Sequence, residues 1–269
     1  MKYVDRLIQN KETFKHILTT NTEKVIVNGN TIWLKGQLDF SFLGLYAKVK
    51  SDVKKFEKHK SLDFTEKLRN EIDYIQFKPI TEIYSYQRYA CTGMKMDINA
   101  CYWNEARKMF LSEETYNYGL TVKKDARLKA LGALATKKIV HEYEFGNLVA
   151  SYVEKSPFSL YFFKICYEVD VFFKKLLTAY ASILGYWTDC FFVEQTQREV
   201  QNEIDEQIRS NRFSYKVEFC DFLLYQSKGN MFLKTTTQAK DELKTKVYLL
   251  KAKEHELPQG KVLYSASYI

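Results

Sequence analysis

Two aspartates, Asp97 and Asp189, are the residues of this 269-residue chain whose type and setting best suit chemistry. Asp97 ends an extended segment and precedes a helical one, while Asp189 lies in a short aromatic and β-branched run, Tyr186 to Val193, after a long apolar stretch. On neighbouring strands, two such residues meet at one sheet edge although they are far apart in sequence. Nucleotide transfer to a growing strand needs two divalent ions roughly 3.5–4 Å apart, one activating the attacking oxygen and one neutralising the departing pyrophosphate. Magnesium, or manganese in its place, takes hard oxygen ligands and often only one or two protein carboxylates beside water and substrate phosphates. Two aspartates therefore suffice. Taken singly, an aspartate at a strand–helix junction is more often a helix cap than a metal ligand. The metal reading rests on the matched pair, with the aromatic Tyr102 five residues after the first.

A second cluster is cationic. Lys123, Lys124, Arg127, Lys129, Lys137 and Lys138 stand against the single acid Asp125 between Lys123 and Lys138. They read either as a solvated helix face or as a track for nucleic-acid phosphates. A net charge of +8 favours a polyanionic partner. The 20 Tyr and 19 Phe serve as core packing or as stacking platforms for bases. His16, His59, His141 and His255 lack partners at ligand spacing and read as surface or satisfied residues. No phosphate-binding loop, dinucleotide fingerprint or serine elbow occurs.

The elements that must position these groups follow from periodicity. Tyr3 to Leu18 reads as a short amphipathic helix, and Lys24 to Lys35 as a hairpin turning on Asn28-Gly29. Ser51 to Tyr74 reads as helix, closed by Pro79 before the extended segment Ile80 to Met96 that delivers Asp97. Tyr102 to Tyr116 and Ala126 to Val140 read as helices. Phe158 to Leu184 reads as a long buried helix, opened by Ser156-Pro157 and ended by Gly185. Glu194 to Arg212 is a polar helix. Strand-like runs follow at Phe219 to Tyr225, Met231 to Thr236 and Val262 to Tyr268, with a charged stretch around Lys240 to Lys253.

The expected class is α+β: a mixed sheet backed by helices, with a small amino-terminal helix and hairpin region. The expected division is residues 1–90 for that region, 91–235 for the core and 236–269 for a carboxy-terminal extension. Five widely spaced cysteines without a zinc pattern read as free thiols of a reducing compartment. Five charges interrupt the most apolar stretch, Phe158 to Leu184, so no membrane span is expected, and the charged segment Met1 to Thr20 speaks against secretion. Localisation is expected to be cytoplasmic.

The run Asp97-Ile98-Asn99-Ala100-Cys101-Tyr102-Trp103-Asn104 resembles motif A of family B DNA polymerases, D-x-x-S-L-Y-P-S, with aspartate and tyrosine in register. Gly185-Tyr186-Trp187-Thr188-Asp189-Cys190 resembles motif C, Y-G-D-T-D-S, keeping the threonine and second aspartate. Arg127 to Ala135 is similar to motif B only in its leading cation and small residues. The three occur in family order and span Met94 to Val193. The resemblance implies a polymerase palm in which Asp97, Asp189 and the Ile98 carbonyl hold magnesium or manganese. It also implies that Tyr102 excludes a 2′-hydroxyl under the incoming sugar, while Arg127 and Lys129 hold the triphosphate. Primed DNA and deoxynucleoside triphosphates would be the partners, with a protein supplying missing fingers or processivity, in a setting such as a virus-infected bacterium. Trp187 stands where the family has its first motif C aspartate, motif B lacks its asparagine and tyrosine, and the fingers are short. These departures motivate the alternative of a catalytically reduced palm that binds nucleic acid or serves a virus or mobile element structurally.

Overall fold

The computed structural model describes residues 3–19, 22–36, 40–59, 70–78, 88–228, 230–239, 242–253 and 263–267. The fold is α+β. Every strand pairing among the described residues is antiparallel, where a mixed sheet was expected. The chain forms two compact units, each assembled from two separate segments.

The first unit is Met1–Phe64 with Ala106–Ile165. It holds α1 (Tyr3–Gln9), β1 (Phe14–Leu18), β2 (Glu23–Val27), β3 (Asn30–Lys35) and α2 (Phe40–His59). The amino-terminal helix is thus shorter than expected, and its second half is strand β1. The hairpin between β2 and β3 turns where the sequence puts it: Asn28 (φ 48°) and Gly29 (φ 77°) both adopt the left-handed conformation of a tight two-residue turn. The expected closure of the following helix at Pro79, and the start of the segment Ile80 to Met96, lie outside the described residues.

Helix α3 (Cys101–Met109) spans the boundary between the units, and α4 (Glu113–Thr121) and α5 (Lys124–Gly132) follow. The expected continuous helix from Tyr102 to Tyr116 is broken because Ser112 caps α4, its hydroxyl accepting the Thr115 N–H at 3.2 Å. The buried Asp52 in turn receives the Ser112 hydroxyl at 2.7 Å. The expected helix Ala126 to Val140 also divides. After α5 and one 3₁₀ turn, the chain becomes β6 (Lys137–Glu144), paired with β7 (Asn147–Lys155). The β-branched pair Ile139-Val140 suits that ladder. The five strands run in the order β3-β2-β1-β6-β7.

The second unit is Thr65–Glu105 with Cys166–Ile269. Its strands are β4 (Ile75–Phe77), β5 (Arg88–Ile98), β8 (Ile183–Trp187), β9 (Cys190–Glu194), β10 (Tyr215–Ser227), β11 (Asn230–Ala239), β12 (Glu242–Lys253) and β13 (Leu263–Ser267). They close into a barrel in the order β10-β11-β12-β13-β4-β8-β9-β5. Within the charged stretch expected around Lys240 to Lys253, Glu242–Lys253 is therefore a barrel strand. Inside lie Phe77, Trp187, Phe192, Phe222, Leu233 and Leu250. Outside, α6 (Ser159–Ala179) and α7 (Arg198–Ser210) pack Phe173, Leu177, Ile204 and Ile208 on Met96, Ile98, Phe191 and Val193. Helix α6 ends at Ala179, short of Gly185. Gly185 belongs to β8, where a Cβ would strike Phe77 and the Gln76 carbonyl. Among the described residues no helix is long and apolar enough to cross a membrane.

Candidate functional site

Side chains alternate across a strand, and β5 uses that alternation to separate core from chemistry. Met96 and Ile98 face the helices. Cys91 packs against the barrel core, so Lys95 and Asp97, on the same face as Cys91, point toward the barrel mouth. Strand β9 lies beside β5 with Asp97 opposite Cys190. The preceding residue is Asp189, so the two aspartates separated by 92 positions in sequence become neighbours at one end of the barrel.

Asp189 lies in the two-residue turn joining β8 to β9, not within a strand as its sequence setting suggests. That turn is held from several sides. The Ile98 N–H donates to the Asp189 carbonyl at 2.8 Å, and the Thr188 N–H donates to the Tyr74 carbonyl at 2.8 Å. Thr188 has φ 52°, a left-handed conformation costly for a β-branched residue. Its hydroxyl donates to Asp189 Oδ1 at 3.0 Å. Below the turn, the Tyr186 hydroxyl donates to Asp170 Oδ1 at 2.6 Å, and Lys174 lies 2.7 Å from Asp170 and 2.8 Å from Asp73. Burial works against the charge of Lys174, yet its bonds to Asp170 and Asp73 raise its pKa above the ordinary value. The β8–β9 turn thus sits on a charged, hydrogen-bonded base rather than on a loose loop.

A cleft of about 440 Å³ opens at this end of the barrel, lined by Lys95, Asp97, Trp187, Thr188, Asp189 and Cys190, with β12 residues opposite. Lys95 lies 3.9 Å from Asp97 and 3.3 Å from Glu218. Burial lifts the Cys190 thiol to about 12, which favours its neutral form. The remaining donors are carboxylate and main-chain oxygens, the set a hard dication such as magnesium accepts. Among the described residues no group of three or more His, Cys, Asp or Glu side chains converges. An ion in this cleft would thus depend on the aspartate pair together with main-chain, water or substrate oxygens.

Tyr102 lies beneath the same turn: it packs against the apolar layer between β5, β9 and the helices, and its hydroxyl donates to the Thr188 carbonyl at 3.4 Å. Burial foremost raises its pKa well above the ordinary tyrosine value, so it is a neutral donor. Arg127, Lys129, Lys123, Lys124, Lys137 and Lys138 all belong to the first unit. Arg127 donates to the Gly119 carbonyl at 3.2 Å. Lys123, Lys124 and Lys129 are exposed at α5, whereas Lys137 and Lys138 lie on β6, with Lys138 3.5 Å from Glu154. The basic segment is therefore a helix followed by a strand, not one helical face.

Five lining residues escape the sequence motifs, Lys246 and Tyr248 among them, with Lys95, Val247 and Leu249. The signal that finds Lys246 and Tyr248 is the i, i+2 alternation of Lys244, Lys246, Tyr248 and Leu250. No protein-family model, curated protein or solved structure matches the chain.

Proposed function

We propose that this chain is a compact metal-dependent nucleotidyltransferase similar to the palm of a family B DNA polymerase, adding deoxynucleotides to primed DNA inside a cell. The observation that carries the reading is the β5–β9 register, which sets Asp97 beside Asp189 in the wall of one cleft. The order of the motif-like segments along the chain supports it independently.

Asp97 and Asp189 would hold magnesium or manganese, which supplies charge neutralisation at the attacking and leaving oxygens when bound. The chain's own groups set the aspartates in place. Thr188 fixes one carboxylate oxygen of Asp189. The Ile98 N–H ties the Asp189 main chain to β5, and the Ile98 carbonyl is the oxygen that the motif resemblance adds to the donor set. Tyr102 holds the Thr188 carbonyl from the helix-side layer; the resemblance assigns its ring to the incoming sugar, and Arg127 and Lys129 to the triphosphate.

The test is primer extension by wild type, Asp97→Asn and Asp189→Asn, with folding checked by circular dichroism. Each amide keeps size and removes a ligand charge, so incorporation should fall at least about a thousandfold, the scale of losing a main electrostatic contact in a reacting site. Equal incorporation by all three proteins would end the enzyme reading.

One observation favours a second reading, a palm that binds nucleic acid without catalysing. Trp187 occupies the position of the motif's first acid and is 8% exposed, its ring 4.7 Å from that of Tyr248. A chain that binds primed DNA in the presence of magnesium yet extends nothing would support it.

A further inference from the structure

The cleft has a second wall, built by β12 from Lys246, Val247, Tyr248 and Leu249. Tyr248 packs on Trp187 and Leu250 lies in the barrel core, so the face they share is the interior one. Lys246 is on that face by strand alternation. It therefore stands at the mouth, one pleat outside the Trp187–Tyr248 contact and across the cleft from the aspartates.

The cleft has two ammonium groups, and their surroundings differ. Lys95 is largely buried and is matched by Glu218 at 3.3 Å and Asp97 at 3.9 Å. Lys246 is exposed to the cleft, and no carboxylate among the described residues forms an ion pair with it. A cation facing two carboxylates in the same opening, with no ion-pair partner among the described residues, suits a ligand that brings its own negative charge. A lysine binds phosphate as a point charge. It is most useful where charge develops during reaction.

We propose that Lys246 is the phosphate-binding residue of this cleft and contacts the β- and γ-phosphates of a nucleoside triphosphate, the part released as pyrophosphate. The assignment rests on the nucleotidyl-transfer reading of the same cleft. In the transfer, the primer 3′-oxygen forms its bond to the α-phosphorus while the α–β bridging P–O bond breaks. The electron pair of that bond leaves on the β-phosphate, and the 3′-hydroxyl proton goes to solvent. The ammonium of Lys246 takes no part in bond making or breaking and faces the departing pyrophosphate.

The experiment is calorimetric titration of the full chain with magnesium pyrophosphate, comparing wild type, Lys246→Ala and Lys246→Arg. Removing a charge-assisted bond should weaken pyrophosphate binding about tenfold or more in the alanine variant. The arginine variant should stay within about threefold of wild type, since it keeps the charge. Primed DNA lacking nucleotide should bind wild type and Lys246→Ala alike; a comparable weakening for DNA would make Lys246 a strand-binding residue and overturn the proposal. Unchanged pyrophosphate affinity in Lys246→Ala, or no pyrophosphate binding by wild type, would also overturn it. The enzyme reading is scored separately by incorporation. If Lys246→Ala weakens pyrophosphate while wild type extends no primer, the phosphate site stands and the reaction does not.

Discussion

The Ile98 N–H donates to the Asp189 carbonyl at 2.8 Å, binding the end of one strand to the turn at the end of its neighbour. Together with the β5–β9 ladder, this main-chain bond keeps the two aspartates side by side, because Asp97 is the residue before Ile98. Neither aspartate side chain takes part in it, so substitutions at either position should leave it in place. The asparagine variants, which can still accept the Thr188 hydroxyl at Asp189, therefore separate loss of a ligand charge from loss of the main-chain scaffold.

Trp187 should act mainly on stability. It is 8% exposed and lies against Tyr248 across the barrel. Trp187→Ala should destabilise by about 3–5 kcal/mol, the range for truncating a buried aromatic, whereas Trp187→Phe should cost less than half of that. Urea denaturation with an unchanged slope is the measurement. A change under about 1 kcal/mol for the alanine variant would mean that the Trp187–Tyr248 pair is not part of the packed core.

Tyr102 should act on selectivity. If its ring limits the space under an incoming sugar, Tyr102→Ala should lower the ratio of deoxynucleotide to ribonucleotide incorporation by about 10- to 100-fold. Tyr102→Phe keeps the ring and removes only the hydrogen bond to Thr188, so it should retain the ratio. A variant that slows both substrates alike would make Tyr102 a packing residue alone.

The exposed cations of the first unit should govern salt dependence. Lys123, Lys124 and Lys129 are exposed along one short segment. If they meet phosphates, replacing all three with alanine should flatten the logarithmic salt dependence of DNA binding by about 2 to 3, near 0.9 for each phosphate no longer neutralised. Fluorescence anisotropy across a salt series measures the slope. An unchanged slope would leave these lysines as a solvated face.

The buried thiols set an alkaline limit. Burial lifts Cys166 and Cys190 from the ordinary 9.0 to about 12. Between those values the unfolded chain loses thiol protons that the folded chain keeps, so the folded state binds more protons and stability falls as pH rises. Each thiol should contribute a slope of roughly 1.4 kcal/mol per pH unit over that window and nothing below about pH 8. Thermal melts from pH 8 to 11 should show the decline, and Cys166→Ser with Cys190→Ser should reduce it. An identical decline in the double variant would assign it to other groups.

Much of the site's address is legible in the sequence. The extended run into Asp97 and the aromatic run around Asp189 carry β-type residues on both sides, so strand placement follows from composition. The Asn28-Gly29 turn is equally plain, since few other pairs adopt left-handed conformations twice in succession. Ser112 is harder to see, because a cap inside an apolar-periodic stretch looks like one more helical position. Its two following acids, Glu113 and Glu114, are the available sign of a new helix start. The strand holding Lys246 is hidden for a different reason. Toward the barrel mouth the interior face of β12 turns polar while Leu243 and Val247 are exposed on the other, so Lys244 and Lys246 mask the alternation that Tyr248 and Leu250 complete. Long-range pairing is the part that no local pattern encodes.

The barrel's closure has a temporal side. Its narrowest join is the pairing of Phe77 with Tyr264, between a three-residue strand early in the chain and a short strand near residue 269. Pairings of such separation form late, because loop-closure entropy is lost before they return any stabilisation. During synthesis β4 therefore waits with one edge unpaired until β12 and its partner β13 have emerged from the ribosome. Open edges of this kind invite pairing with other chains. The strand that brings Lys246 to the cleft is thus also among the last pieces to end the nascent chain's vulnerability to aggregation, and the cleft comes into existence only as that hazard closes.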